Sequence, residues 1–386
     1  MTFMRELKGI VMNENIPLYM KIYNTLISEI KSGRYQDGDR LPTELEISEQ
    51  FSVSRITSRK ALDILAEEGY INRTPGKGSF VTLSSGDDEG EEEASKTPEE
   101  KRRIIGFVVP DFSSSYGIDL LSGIEKEAHD NDYIFTFYRT YGRQDIEEKA
   151  IDFLTDIGAD GIIIMPVHGE HYNPKILKMV LDKFPFVLVD RFMHGIQAPF
   201  VGTDNVAAAK KLTDYVLELG HKNVSFISPP VIDTSTLEDR REGFVKSHAE
   251  KGIAVDESLW LTDFISTIPG KSSEENIRVG IDVLKELILS KPEITCFFVV
   301  EYNLALMVLE AIQEIGKRVP EDYSIVCFDG PVNYAGKYLF THIRQKEVQM
   351  GNTAVNMLIK QIDKTDGSEK VQLDTCLIMG DSTRQI

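Results

Sequence analysis

From residue 103 to the C-terminus, short apolar runs alternate with amphipathic helices, and no other feature of the sequence restricts the fold as strongly. Candidate strands cover 104–109, 133–138, 161–165, 186–190, 200–203, 224–228, 295–300 and 324–329. Helices are predicted between most of them, for example at 118–131, 144–157, 206–219, 273–290 and 303–315. Strands that are apolar throughout need cover on both faces, which connecting helices supply. The pattern predicts an α/β fold built of parallel sheets.

Polar residues follow several of these predicted strands. They are Asp111, Ser113, Ser114, Asp190, Arg191, the run 203–205, Glu301 and Asp329. Ligands of open parallel sheets bind beyond the carboxyl ends of the strands, so this recurrence predicts a ligand cleft. Each such residue taken singly is also compatible with a helix cap, and we expect Asp204 or Asn205 to be one.

Residues 17–83 show a different pattern, of three helices and a hairpin. Helices are predicted at 17–32 and 44–51, the second with Thr43 and Glu46 as a capping box. Ser54 is the N-cap candidate of a third helix, which would complete a helix-turn-helix. The first turns of that helix hold Arg55, Thr57, Ser58 and Arg59. The helix dipole disfavours cations there, but recognition helices contact DNA with their N-terminal residues. An ordinary surface helix is the alternative.

A glycine-rich basic tip follows the third helix. It contains Gly76, Lys77 and Gly78, and joins two short β segments at 70–73 and 79–81. Beside a helix-turn-helix such a hairpin is a wing, and glycine and lysine at its tip allow a close approach to phosphates. A phosphate-binding loop is excluded, because it needs Gly-x-x-x-x-Gly-Lys-Ser/Thr between a strand and a helix.

The charge of the chain is unevenly distributed. The formal net charge is −19, yet residues 17–83 hold nine basic and nine acidic residues, and residues 1–16 also sum to zero. The acidic excess therefore lies beyond residue 83. A neutral module on an acidic body suits DNA binding by a few well-placed cations, with little non-specific attraction to DNA.

The remaining features limit the class of protein. Residues 84–102 are acidic and poor in apolar residues, which predicts a flexible linker after the N-terminal segment 1–16 and the domain 17–83. The N-terminus lacks the apolar core of a signal peptide and no run is long enough to span a membrane, so we expect a cytoplasmic protein. Cys296, Cys327 and Cys376 lack metal-ligand spacing and are predicted to be buried thiols. His168 and His171 are predicted to lie in a solvent-exposed loop. No metal or cofactor is expected.

The N-terminal domain resembles the GntR family of winged-helix repressors. The resemblance rests on Leu41-Pro42-Thr43-Glu44, on Val53-Ser54-Arg55 with Thr57, Arg59-Lys60-Ala61-Leu62, and on Gly76, Gly78 and Phe80-Val81. It implies a homodimer on near-palindromic operator DNA, with the tip of the wing in the minor groove. The residues expected to contact DNA are Thr43, Glu44, Ser54, Arg55, Thr57, Ser58, Arg59, Gly76, Lys77 and Gly78. Leu45 departs from the family pattern, where an Arg or Asn often makes a backbone contact.

Residues 103–386 resemble the LacI/GalR effector domain and the periplasmic ribose-binding proteins. The clearest motifs are 187–191, 201–205, 219–222, Arg240 with Gly243-Phe244, and 319–330. The resemblance implies two lobes that close around a sugar. The positions that correspond to sugar-binding residues are Ser114, Tyr116, Asp190, Arg191, Arg240, Phe264, Glu301, Asp329 and Gln345. Glu301 replaces an Asn, and Gly117 stands where the family has a second aromatic residue.

This set of side chains suits a neutral polyol. Carboxylates accept hydrogen bonds from hydroxyls, arginines donate to oxygens and aromatic rings cover C–H faces. The fusion of the two domains resembles the arabinose-repressor (AraR) class, which implies a repressor controlled by a pentose or a 6-deoxyhexose. A nucleobase, a sugar phosphate or a protein partner remain alternative effectors. An enzyme is not expected, because Gly-x-Ser-x-Gly, His-Glu-x-x-His and a Walker lysine are absent.

Overall fold

The computed structural model describes residues 18–74, 78–82, 103–168, 173–231, 234–331 and 336–386. They fall into two compact units, Met1–Thr97 and Pro98–Ile386. The predicted N-terminal segment 1–16 and the predicted flexible linker 84–102 lie outside the described residues. The proposed domain limits at 83 and 103 therefore stay a prediction.

The first unit is a winged helix-turn-helix, as predicted. Its elements are α1 (Leu18–Lys31), α2 (Glu44–Gln50), α3 (Arg55–Glu67), β1 (Ile71–Thr74) and β2 (Gly78–Val81). Thr43 and Glu46 form the capping box of α2. Ser54 caps α3 by accepting a hydrogen bond from the Thr57 amide at 3.2 Å. The helices α1 and α2 both pack on α3, around buried Ile22, Ile47 and Leu62. The strands β1 and β2 are antiparallel, from Ile71 opposite Val81 to Thr74 opposite Gly78.

The second unit alternates strands and helices. Its strands are β3 (Ile104–Val109), β4 (Ile134–Arg139), β5 (Gly161–Ile164), β6 (Phe186–Val189), β7 (Phe200–Thr203), β8 (Val224–Ile227), β9 (Cys296–Val299), β10 (Ser324–Phe328), β11 (Thr341–Arg344), β12 (Lys370–Leu373) and β13 (Cys376–Ile378). Its α-helices are α4 (Ile118–Asp130), α5 (Gln144–Asp156), α6 (Pro174–Asp182), α7 (Asn205–Glu218), α8 (Ser235–Glu250), α9 (Glu274–Ser290), α10 (Tyr302–Glu314) and α11 (Glu347–Ile362). The α/β prediction is confirmed.

These strands form two separate sheets, one in each lobe. The first lobe has six parallel strands in the order β12-β7-β6-β5-β3-β4. The second has five in the order β13-β11-β10-β9-β8, parallel except that β13 runs antiparallel to β11. Apolar side chains pack on both faces of each sheet, against α4, α11, α5 and α6 in the first lobe and α9, α10, α7 and α8 in the second.

The chain crosses between the lobes three times, after β7, after β11 and after β12. The crossings lie side by side: the Asp204 amide donates to the Leu373 carbonyl at 2.9 Å, and the Thr203 hydroxyl donates to Gln345 Oε1 at 2.6 Å. Lys346 and Asp374 form an ion pair beside them. The three chain crossings thus lie together at one edge, and a cleft is left between the carboxyl ends of the strands of the two lobes.

Two cysteines are buried as predicted, and one is not. Cys296 and Cys327 lie inside strands of the second sheet, whereas Cys376 is exposed. Cys376 starts β13, which is the edge strand of its sheet, so it has a neighbouring strand on one side only. Across the part of the chain that the structure describes, no helix is both long enough and apolar enough to cross a membrane.

Candidate functional site

A cavity of about 210 Å³ lies between the two lobes of the second unit. It is formed at the carboxyl ends of the strands, where parallel sheets bind ligands. Most of the predicted sugar-binding residues meet there. Those that line the cavity are Tyr116, Asp190, Arg191, Arg240, Glu301, Asp329 and Gln345.

Two buried aspartates face this cavity from opposite lobes. Asp190 follows β6 and Asp329 follows β10, and they are only 5% and 7% exposed. The Tyr116 hydroxyl donates to Asp190 Oδ1 at 2.5 Å, and Arg191 Nε lies 3.4 Å from Asp190 Oδ2. Gln345 Nε2 donates to Asp329 Oδ2 at 2.9 Å. Each lobe therefore presents an oriented carboxyl group to whatever occupies the cleft.

Arg240 brings a buried positive charge to the second lobe. It lies on α8 and its planar group stacks 3.9 Å from the centre of the Phe328 ring. Its Nε donates to Asn205 Oδ1 at 2.8 Å, and its Nη1 donates to the Val300 carbonyl at 2.6 Å. These contacts hold the guanidinium in one orientation. Asp204, not Asn205, is the N-cap of α7, with its Oδ1 accepting from the Ala207 amide at 2.9 Å.

Two carboxyl groups that the second lobe contributes to the cavity, those of Asp329 and Glu301, have raised pKa values. Burial raises the pKa of Asp329 to about 7, against the opposing effect of Arg240 and of the hydrogen bond from Gln345. Burial likewise raises the pKa of Glu301 to about 7. Glu301 Oε1 has no hydrogen-bond partner among the described residues. A carboxyl group in this pKa range either donates or accepts a hydrogen bond, which matches a hydroxyl group.

The first unit presents a second candidate site, a groove of about 630 Å³ beside the N-terminus of α3. Arg55 and Arg59 are exposed there, and they share the groove with Thr43, Arg73 and Gly78. Arg55 has no ion-pair partner within the described ranges of the chain. Exposed cations at a helix N-terminus are placed to meet phosphates and base edges.

Comparison with known families agrees with this geometry. Residues 18–81 match the bacterial regulatory proteins of the gntR family. Residues 213–383 match the periplasmic binding protein-like domain. The chain joins a GntR-family regulatory domain to a periplasmic-binding-protein-like domain. Both parts of the predicted resemblance are confirmed.

Relatives that match nearly the whole chain are named as transcriptional repressors. An arabinose metabolism transcriptional repressor from Halalkalibacterium halodurans is 26% identical over 378 residues, which cover 94% of this chain and 96% of that protein. A repressor of the same name from Geobacillus stearothermophilus is 27% identical over 385 residues, which cover 97% of this chain and 99% of that protein. A solved LacI family transcriptional regulator from Enterococcus faecium with bound ribose shares the fold, with a TM-score of 0.60 and 23% identity over 74% of this chain and 100% of that one. The relatives are transcription regulators and not enzymes, in agreement with the prediction.

Two predicted sugar-binding residues lie outside the cleft of the binding-protein-like domain. Ser114 is exposed, while its neighbours Ser113 and Ser115 line the cavity. Phe264 is 6% exposed and packs in the core of the second lobe. The loop after it lines the cavity instead, through 267–269. Correspondence along the sequence places a residue in a loop of the cleft but does not determine whether its side chain points to the cavity, to the core or to solvent.

The cleft also contains a histidine that was predicted to lie in a solvent-exposed loop. His168 lines the cavity, and its ring nitrogens are buried, so the predicted solvent-exposed position is wrong for this residue. His171 lies outside the described residues. His168 is the first polar residue after the buried strand β5, as Asp190 is after β6. Its position after a parallel strand could therefore have indicated a place in the cleft.

Three predicted DNA contacts in the GntR-family domain have roles within the domain. Ser58 lies on α3 and is fully buried, which excludes a direct contact with DNA. Ser54 is occupied in capping α3, and Glu44 forms ion pairs with Arg73 and, at 3.6 Å, with Arg59. Glu44 is therefore placed to orient arginines rather than to meet phosphates. Gly76 and Lys77 lie outside the described residues.

Proposed function

We propose that this chain is a sugar-responsive transcriptional repressor. The GntR-family domain binds operator DNA, and a neutral monosaccharide in the cleft lowers the affinity for that DNA. The observation that carries the proposal is the lining of the cleft, where Asp190 and Asp329 face one space from two lobes. As a DNA-binding regulator of a bacterial family it acts in the cytoplasm.

The size of the cavity favours a single sugar ring. Pockets for drug-sized ligands measure about 300–1,000 Å³, and this one measures about 210 Å³. Its carboxyl groups outnumber its arginines, because Asp111, Asp190, Glu301 and Asp329 line it with Arg191 and Arg240. Repulsion from this acidic lining disfavours a sugar phosphate. A neutral, hydroxyl-rich ligand fits this balance.

We infer a pentose as the effector, with a 6-deoxyhexose as the second choice. Two full-length relatives are named for arabinose metabolism, and a regulator of the same fold holds ribose. We propose Tyr116, Asp190, Arg191, Arg240, Glu301, Asp329 and Gln345 as the sugar-binding residues.

We propose that the protein acts as a homodimer, because two-fold operators require two DNA-binding modules. The DNA contacts proposed for each module are Thr43, Arg55, Thr57, Arg59 and the tip 76–78. Sugar and operator must lower each other's affinity by the same factor, since coupling between two binding sites is reciprocal.

The test is a binding experiment with both ligands. An operator is first selected from random DNA with the full chain, and its Kd is measured by fluorescence anisotropy with and without L-arabinose, D-ribose, L-fucose, ribose 5-phosphate or hypoxanthine. We expect one neutral sugar to raise the Kd for the operator. A response to the phosphate or the nucleobase alone would contradict the proposed effector, and failure to select any DNA would contradict the regulator.

A further inference from the structure

His168 brings two buried and unpaired nitrogen atoms to the cleft. His168 lines the cavity, yet neither Nδ1 nor Nε2 has a hydrogen-bond partner among the described residues, and both atoms are buried. Leaving a buried donor or acceptor unpaired costs about 1–3 kcal/mol. Buried polar groups are otherwise nearly always paired, so these two nitrogens need a partner, which a ligand bound in the cavity can supply.

The segment around His168 is held by hydrogen bonds to a buried carboxylate. Glu147 on α5 is 1% exposed, and its carboxylate accepts from the Val167 amide at 2.8 Å and from Asn173 Nδ2 at 2.6 Å. One buried carboxylate thus holds the chain on both sides of His168. Burying a charged group is favourable only when it is well hydrogen-bonded, and such support is typical of a preorganised site.

The same segment is attached to a proposed sugar-binding residue. Arg191 Nη1 donates to the Pro166 carbonyl at 3.3 Å. Pro166 and His168 follow β5, and Arg191 follows the neighbouring strand β6. The imidazole therefore belongs to the same edge of the sheet as Asp190 and Arg191.

The protonation state of His168 suits a hydroxyl group. Burial lowers its pKa to about 3, and the positive charges of Arg191 and Lys271 add to this effect. The imidazole is then neutral at physiological pH, with one N–H donor and one lone pair. A hydroxyl group both donates and accepts, whereas an ionised phosphate only accepts.

We propose that His168 is a specificity-determining residue that hydrogen-bonds a hydroxyl group of the bound sugar, and that Glu147 is its positioning residue. The inference rests on the proposed sugar effector. It assigns to His168 the discrimination between sugars that differ at a single hydroxyl group.

The experiment is calorimetric titration of the full chain with L-arabinose, D-ribose, D-xylose and L-fucose. His168→Phe removes both hydrogen-bonding nitrogens, and His168→Gln keeps a donor and an acceptor. We expect His168→Phe to raise the Kd of the preferred sugar at least tenfold and to reduce its preference over the other sugars, with His168→Gln recovering part of both. His129→Phe, at an exposed position on α4, is the matched control and should change neither.

Glu147 is tested by non-additivity. Glu147→Gln should weaken sugar binding in the wild-type background and have no further effect in the His168→Phe background, because a positioning residue acts through its partner. Equal effects in both backgrounds would overturn the positioning role.

The possible outcomes distinguish a failure at His168 from a failure of the proposed function. If the wild-type chain binds one of these sugars and both His168 variants bind it with unchanged affinity and preference, the inference about His168 is wrong and the proposed function stands. If the wild-type chain binds none of them, the sugar effector and this inference are both overturned.

Discussion

Asp190 and Asp329 occupy equivalent positions in the two lobes. Each is the first residue after the third strand of its sheet in spatial order, and their φ angles are 64° and 62°. This left-handed backbone is uncommon outside glycine, and Asn and Asp adopt it more readily than other residues. The turn brings each carboxyl group to the cavity, so the residue type suits both the backbone conformation and the proposed contact with a sugar.

At the residue scale, Asp190→Ala should weaken sugar binding and leave operator binding intact. Hydrogen bonds to a charged group contribute about 1.5–3 kcal/mol, so the Kd for the sugar should rise roughly ten- to a hundredfold. Calorimetry and operator titration measure the two properties separately. Asp156→Ala, at an exposed position on α5, is the control. Unchanged sugar affinity in Asp190→Ala would place the binding site elsewhere.

A second prediction at this scale concerns pH. The pKa of Glu301 is raised to about 7 in the folded state, against an ordinary value of 4.5, so the folded chain binds the proton more tightly than the unfolded chain. Stability from this group is fully present below pH 4.5 and is lost as the pH rises through 7. Glu301→Gln carries no charge and escapes this loss. The free energy of unfolding of Glu301→Gln, relative to that of the wild type, should rise by about 2 kcal/mol from about pH 5 to about pH 8.

Chemical denaturation of the sugar-free chain at the two pH values measures this gain. Glu286→Gln, at an exposed position on α9, is the control. A difference between Glu301→Gln and wild type that is independent of pH would show that burial of the ionised carboxyl group is not the cause.

At the scale of elements, two loops meet across the mouth of the cleft. Gly142 lies between β4 and α5 in the first lobe, and 269–270 precede α9 in the second. A Cβ on Gly142 would lie 2.7 Å from the Pro269 carbonyl oxygen, and one on Gly270 would lie 2.6 Å from that of Tyr141. Such distances are too short for real Cβ atoms, so this approach of the lobes requires glycine.

Gly142→Ala should therefore oppose closure and weaken sugar binding, by about tenfold. Gly158→Ala is a close control, because its φ of 78° resembles the 70° of Gly142, yet no atom lies within 4 Å of the place that its Cβ would take. Both variants carry a similar backbone penalty of about 1 kcal/mol. Calorimetry should show weaker sugar binding for Gly142→Ala alone. Equal sugar affinities in the two variants would contradict a role of this contact in closure.

At the scale of the whole molecule, the two proposed functions are assigned to two compact units with different charge. The segment 17–83 is formally neutral within a chain of net charge −19. Affinity for DNA then depends on a few cations, of which Arg55 and Arg59 are exposed at the start of α3. Loss of one such contact should reduce DNA affinity without changing the sugar cleft.

Arg55→Ala should raise the Kd for the operator at least tenfold and leave sugar affinity unchanged, because the substitution removes an exposed side chain from the first unit only. Operator titration at two salt concentrations, with calorimetry for the sugar, checks both statements. Arg34→Ala, at an exposed arginine paired with Glu29, is the control. Parallel loss of DNA and sugar binding would contradict the division into two independent sites.

The sequence by itself determined the features that depend on near neighbours in the chain. The caps Thr43 and Ser54, the helices they start and the alternation from β3 to β10 were predictable, because capping and periodicity are local. Asp190 and Asp329 were predictable as well, since a polar residue after a buried parallel strand lies at the edge where ligands bind.

Only the tertiary structure decided which side chains share a space. The burial of Ser58 and Phe264, the exposure of Cys376 and the place of His168 in the cleft all depend on segments far away in the chain. The strands β11 to β13 were not predicted. Thr341–Arg344 and Lys370–Leu373 mix polar with apolar residues, so they lack the continuous apolar runs by which β3 to β10 were predicted. The local sequence pattern determines where helices and strands form, and the packing of these elements against each other determines which side chains line the cleft.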